Sequence, residues 1–288
     1  NSPANAAALD WNYRPLDELH NADNTSGSFD NRINLGLKYT LHAGLSAELK
    51  YVFENTQSSY NNYYSQDTYY ARNLINQFTQ KNPDGSLSYP IPVGGILQQS
   101  NASLNSQHLR GQLNYSKDWN QKSFFTAIVG SEWSSTVNKL NDPATAYGYN
   151  KNTDANYSNI DYLTYYSLYP RGTGSMQIPN GQGFSQTTDN FISYFSNAAY
   201  TYDKKYTLSI SGRIDKSNLF GVNTNQKAVP LYSAGLSWDI GKENFYRLSW
   251  LPDAKFRLTF GYNGNINKTA TAVTTLKELS NAYYTGTP

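Results

Sequence analysis

Two stretches bring together side chains that bind without bonding covalently. Residues 60–70 read YNNYYSQDTYY and residues 157–169 read YSNIDYLTYYSLY. Flat phenol rings stack on sugar faces, and neighbouring amides and carboxylates hydrogen-bond hydroxyls. Tyrosine is also a frequent anchor for protein partners. Tyr63, Tyr64, Tyr69, Asp161, Tyr165 and Tyr166 are therefore the candidates for contact with a ligand or partner, the plain alternative being that the loops pack on one another.

Little else in the chain suggests reactive chemistry. There is no cysteine, so thiolate catalysis, thiolate metal sites and disulfides are excluded. The three histidines (His20, His42 and His108) are far apart in sequence, and a metal site would need their chance convergence. Asp17 and Glu18 before His20 read as a solvated loop rather than an acid–base pair. A glycosidase would need two placed carboxylates, and no spacing selects a pair. RGTGS (171–175) and PNGQG (179–183) lack the strand-to-helix setting and the Lys-Ser/Thr ending of a phosphate loop, so they read as turns. NKNTDANYSN (150–159) carries oxygens suited to Ca²⁺ but lacks a full calcium-loop pattern. No cofactor is expected beyond that weak calcium candidate, and no enzyme constellation is visible.

The elements that position these loops are strands. Charged residues make up 15% of the 288, below the roughly 25% of soluble domains. Aromatics also make up 15%, including 26 tyrosines. A net charge of +2, without an Arg/Lys cluster, gives no nucleic-acid signal. No run approaches the 18 or so apolar residues of a membrane-spanning helix.

Eight segments alternate with period two, the strand period: 30–41, 44–54, 108–118, 122–133, 190–202, 205–215, 230–240 and 254–264. In 205–215, Leu208, Ile210 and Ile214 oppose Ser209, Ser211, Arg213 and Asp215. In 122–133 the adjacent Phe124 and Phe125 leave the facing ambiguous. Short turns alternate with long connections over 55–107 and 134–189, and Tyr and Trp cluster near strand ends. That asymmetry predicts an all-β fold: an antiparallel transmembrane β-barrel segment of about eight strands with long extracellular loops. A soluble β-sandwich explains the alternation equally well, and the loop lengths and the aromatic placement less well.

Residues 190–221 (NFISYFSNAAYTYDKKYTLSISGRIDKSNLFG), 228–246 (AVPLYSAGLSWDIGKENFY) and 248–265 (LSWLPDAKFRLTFGYNGN) carry a family resemblance. Its matching positions are Arg213, Asp215, Ser217, Phe220 and Gly221, then Pro230, Ser233, Gly235, Ser237 and Trp238. Glu243, Asn244, Phe245, Trp250, Leu251, Arg257, Gly261, Gly264 and Asn265 follow. In order and spacing these blocks resemble the SusC/RagA-like TonB-dependent outer-membrane transporters.

The resemblance implies that residues 1–288 are part of one receptor β-barrel domain, with the N-terminal plug and the remaining strands outside them. It implies import of a nutrient, with oligosaccharide favoured over oligopeptide by the neutral tyrosine-rich loops. The partners it implies are a SusD-like surface lipoprotein, the TonB complex, outer-membrane lipid and a glycan or oligopeptide ligand. Arg213, Asp215 and Arg257 would line a polar lumen. The other reading is a surface glycan- or peptide-binding β module without transport activity.

Overall fold

The computed structural model describes residues 8–169, 174–218 and 228–264. Phe220, Gly221 and Asn265 lie outside the described residues. In chain order the elements begin with α1 (Pro15–Asn21), β1 (Ala22–His42), β2 (Leu45–Tyr64) and α2 (Tyr69–Phe78). Next come β3 (Gln80–Lys81), β4 (Leu87–Ser88), β5 (Gly95–Trp119), β6 (Ser123–Asp142) and β7 (Ala146–Tyr149). The remainder are β8 (Tyr166–Ser167), β9 (Ser175–Met176), β10 (Gly183–Tyr202), β11 (Tyr206–Ser217), β12 (Ala228–Asp239) and β13 (Lys255–Tyr262).

Each of the eight alternating segments lies wholly or largely within a strand. Five of those strands run much further than the alternation extends, to 20–25 residues. The extra lengths lie in Asn-, Ser- and Thr-rich sequence, where both faces are polar and hydropathy gives no period.

The expected barrel is corrected. The main sheet has the order β1-β2-β5-β6-β10-β11-β12-β13, with β7 paired to β5. Sequential strands pair antiparallel, as Ile210↔Ala234 in β11–β12 and Leu236↔Leu258 in β12–β13 illustrate. Among the described residues β1 and β13 do not pair, so the sheet is open and no closed barrel is present. Alternation specifies two-faced strands; it does not specify that the last strand meets the first. No described helix is long and apolar enough to cross a membrane, a statement that leaves strands aside.

Two turns of the main sheet have both central residues at positive φ: Asn120 with Gln121 (53° and 57°) and Asp203 with Lys204 (50° and 55°). This is the mirror-image turn whose twist matches antiparallel strands.

The chain divides into two compact units. The first comprises Asn1–Asp30, Asn55–Leu104 and Asn138–Thr187; the second comprises Asn31–Glu54, Asn105–Val137 and Thr188–Pro288. The first unit has a true core: Ala71, Ile75, Phe78, Ile91, Ile96, Tyr147 and Ile178 are buried together. Helix α2 supplies three of them at a 4-then-3 spacing, one face of a helix. Thr68 starts α2 by accepting from the Ala71 amide at 3.2 Å, and Glu18 accepts from the Tyr69 amide at 2.7 Å. Asn76 exchanges two hydrogen bonds with the backbone of Leu9, at 2.9 and 2.8 Å, which ties the segment before α1 to the helix. The KNPDGS stretch forms the turn between β3 and β4.

Among its described residues the second unit has no comparable core. Many of its large apolar residues line one face of the strands and stay exposed: Leu37 is 67% accessible, Ile210 55%, Leu236 57% and Phe260 72%.

Candidate functional site

The tyrosines singled out by sequence lie in the first unit, and most are engaged in packing. Tyr63 and Tyr64 belong to β2, not to a loop. Tyr63 meets Tyr149 edge-on at 5.7 Å, with Lys151 Nζ 5.5 Å above its ring. Tyr64 packs on Tyr70 at 4.4 Å and against the core. Tyr69 opens α2 and meets Tyr13 edge-on at 5.5 Å. Tyr166 lies in β8, half-buried against Phe78 at 6.2 Å.

Asp161 closes its own turn, accepting from Leu163 N at 2.9 Å, Thr164 N at 3.1 Å and Thr164 Oγ1 at 2.7 Å. Those bonds, the Thr164 hydroxyl first, hold its carboxyl below the usual range. Of the six, only Tyr165 (56%) and Asp161 are well exposed, Leu163 beside them being 83% accessible.

Arg213 and Asp215 come together in the second unit, on the polar face of the sheet. Arg213 Nε donates to Asp215 Oδ1 at 2.6 Å. Its Nη2 donates to Glu132 Oε2 at 3.1 Å and to the buried Ser193 Oγ at 3.0 Å. Glu132 also accepts from Arg110 Nη1 at 2.9 Å, so two guanidinium groups share one carboxylate. Burial pulls the Arg213 pKa down, but hydrogen bonds to Asp215 and Glu132 outweigh it and the guanidinium is held charged. Arg257 stands opposite Ser237 on β13, away from this cluster.

The cluster lines a groove of about 460 Å³ that also includes Lys50 and His108. Glu48 lies alongside, accepting from Lys50 at 2.6 Å, and this contact holds the Glu48 carboxyl below its usual range. The seat of Arg110 depends on a glycine. A Cβ at Gly130 would come within 2.5 Å of Phe195 Cζ and 2.6 Å of Gly111 O, so only glycine lets the Phe195 ring lie down on β6. Arg110 then stacks over that ring at 4.6 Å, a cation–π contact that fixes the guanidinium.

Glu132, Ser193, Phe195 and Gly130 were not singled out by sequence. Phe124 obscured the parity of β6; once Glu132 is assigned to the polar face, Gly130 and Phe124 share it.

A second feature lies where β11 begins and β12 ends, beside the β10–β11 turn. Glu243 accepts from Tyr206 Oη at 2.5 Å, Trp238 Nε1 at 3.0 Å and Lys205 Nζ at 3.3 Å. These donors, the Tyr206 hydroxyl first, hold its carboxyl low. Asp239 likewise accepts from Lys242 at 2.9 Å, with Lys255 at 3.5 Å. Among the described residues no three His, Cys, Asp or Glu side chains are grouped to hold a metal.

No protein-family model matches the chain. TonB-dependent receptor P39 of Formosa agariphila (strain DSM 15362 / KCTC 12365 / LMG 23005 / KMM 3901 / M-2Alg 35-1) is 28% identical over 156 residues, 53% of this chain and 13% of that protein. Among solved structures, the RagAB peptide importer matches in its open-open state (TM-score 0.63, 18% identity) and its closed-closed state (0.62, 18%). Each match covers 84% of this chain and 23% of the solved chain. The chain thus spans about a quarter or less of the proteins it resembles.

The likeness to RagAB is one of fold. The comparisons show a partial likeness of sequence to a TonB-dependent receptor and of fold to RagAB. They do not carry the expected barrel segment or the import activity. An open sheet encloses no channel, so both expectations, and the description as a β-barrel membrane protein, are withdrawn.

Proposed function

We propose that this chain is a surface ligand-binding β module, associated with the outer membrane, that holds a glycan or peptide and has no transport activity of its own. One observation carries this reading: the groove of about 460 Å³ on the polar face of the second unit. Its volume suits a small ligand, since such sites occupy roughly 300–1,000 Å³. Its polar groups converge from five strands, and the arginines are held in place: Arg110 by Phe195 and Glu132, Arg213 by Asp215, Glu132 and Ser193. Fixed donors and acceptors lower the ordering cost of binding.

The exposed apolar face of the same unit supports the outer-membrane association. Apolar patches beyond a few hundred Å² are uncommon on soluble monomers and mark contact surfaces. Outer-membrane lipid is the partner proposed for that face. A SusD-like surface lipoprotein is proposed for the loop around Tyr165 and Leu163, whose side chains stand clear of the core.

The test is a binding screen of the purified protein against immobilised oligosaccharides and short peptides. Saturable binding to members of either class is the expected outcome. Binding to neither would overturn the reading.

A further inference from the structure

Within the groove, the two signs of charge lie at different depths. The carboxylates are tucked in: the side chains of Asp215 and Glu132 in the groove, and of Glu48 beside it, are 17%, 28% and 19% accessible. The cations stand above them: Arg110 and Arg213 are each 43% accessible and Lys50 is 59%. The cations are thus the more accessible charges to an incoming ligand. The pairing also leaves donor capacity unused. Arg110 places Nε on Gln112 at 2.9 Å and Nη1 on Glu132 at 2.9 Å, while its face rests on Phe195. A guanidinium has five N–H donors in a fixed fork. Because Glu132 serves both Arg110 and Arg213, neither arginine has a carboxylate to itself at that contact.

We propose that the groove is selective for a carboxylate-bearing ligand, taken by Arg110 and Lys50, with Arg213 and Glu132 as positioning residues that hold Arg110 in place. This rests on the binding reading above and deepens it. The shared chemistry is the carboxylate; a uronic acid sugar and an acidic peptide are its two sources. Charge-assisted hydrogen bonds to a carboxylate are the strong kind, and Arg matches its geometry bidentately.

The test titrates the purified protein calorimetrically with four probes: trigalacturonate, its methyl ester, triglutamate and triglutamine. At least one acid is expected to bind about tenfold or more tightly than its neutral counterpart, and to weaken as salt rises. The tighter acid identifies the source as sugar or peptide. Arg110→Gln and Lys50→Gln should each cost the acid about tenfold more than they cost the neutral probe, whereas Lys255→Gln, outside the groove, should change neither.

Lys50 has no part in the Arg110–Phe195 contact, so its variant keeps the test decisive if Arg110→Gln disturbs that packing. Neutral probes binding as tightly as acids, or both groove variants binding acid like the parent, would overturn the selectivity while leaving the binding reading standing. Binding of no probe, with an empty screen, would overturn both.

Discussion

The two compact units reach order by different means. The first buries seven apolar side chains around α2, and its polar groups serve as ties: Thr68 caps the helix, Asn76 holds Leu9, and Tyr147 donates to Pro179 O at 2.7 Å while burial pushes its phenol pKa up. The second has no buried large apolar side chain among the described residues. Its strands are ordered by ladder hydrogen bonds and by side chains linked across the polar face, while its apolar face is left to meet something else. A buried core fixes a shape; an open sheet with a cross-linked polar face offers one. The tyrosine-rich sequence that looks like a binding surface is largely spent on the core, and the groove arises where the sequence looks plain.

The largest expected contrast comes from truncating one apolar residue in each unit. Phe78→Ala should cost about 3–5 kcal/mol and strip amide-exchange protection from α2 and the β5–β7 pairing. Ile210→Ala on the exposed face should cost under about 1 kcal/mol, because the side chain is already half in solvent. Similar losses at the two positions would break the comparison.

Next in size is Gly130→Ala. Its Cβ would displace Phe195 and press on a backbone carbonyl, costing about 1–3 kcal/mol. It should weaken ligand binding through Arg110, as read from affinity at a temperature where the variant is folded.

Acid should loosen the turn end of the second unit. The Glu243 carboxyl is held below its ordinary value, so its contribution is fully present above that value and is lost as pH falls through the lowered one. Trp238 donates to Glu243, so tryptophan emission should shift over that acid range and not in Glu243→Gln. The smallest effect is expected at Lys204, held at a φ of 55°. Lys204→Gly should relieve left-handed strain for a gain of about 0.5 kcal/mol or less, seen in the denaturation midpoint.

Much of the second unit was legible in the sequence. Leu208, Ile210 and Ile214 alternate with Ser209, Ser211, Arg213 and Asp215, and the structure assigns those sets to opposite faces. Closure was not legible, because period two is the same in an open sheet and a barrel. Nor was the polar half of β2 and β5, where Asn and Ser on both faces erase the alternation. Helix α2 was hidden in YYARNLINQF by its tyrosines and asparagines, although Thr68 as a cap and the Ala71, Ile75, Phe78 spacing were present as signals. In the groove, Arg213 and Asp215 were visible as a pair two residues apart. Glu132 was not, because Phe124 breaks the pattern of its strand, and no sequence reading links positions 132 and 213 across three strands.

The central claim is that ligand binds in the polar groove rather than on the tyrosine-bearing loops. Hydrogen–deuterium exchange of the whole protein, with and without a ligand found by the binding screen, tests it most directly. The account predicts new protection around Lys50, Arg110 and Glu132 on β2, β5 and β6. Protection confined to residues 60–70 and 157–169, with those strand segments unchanged, would contradict it.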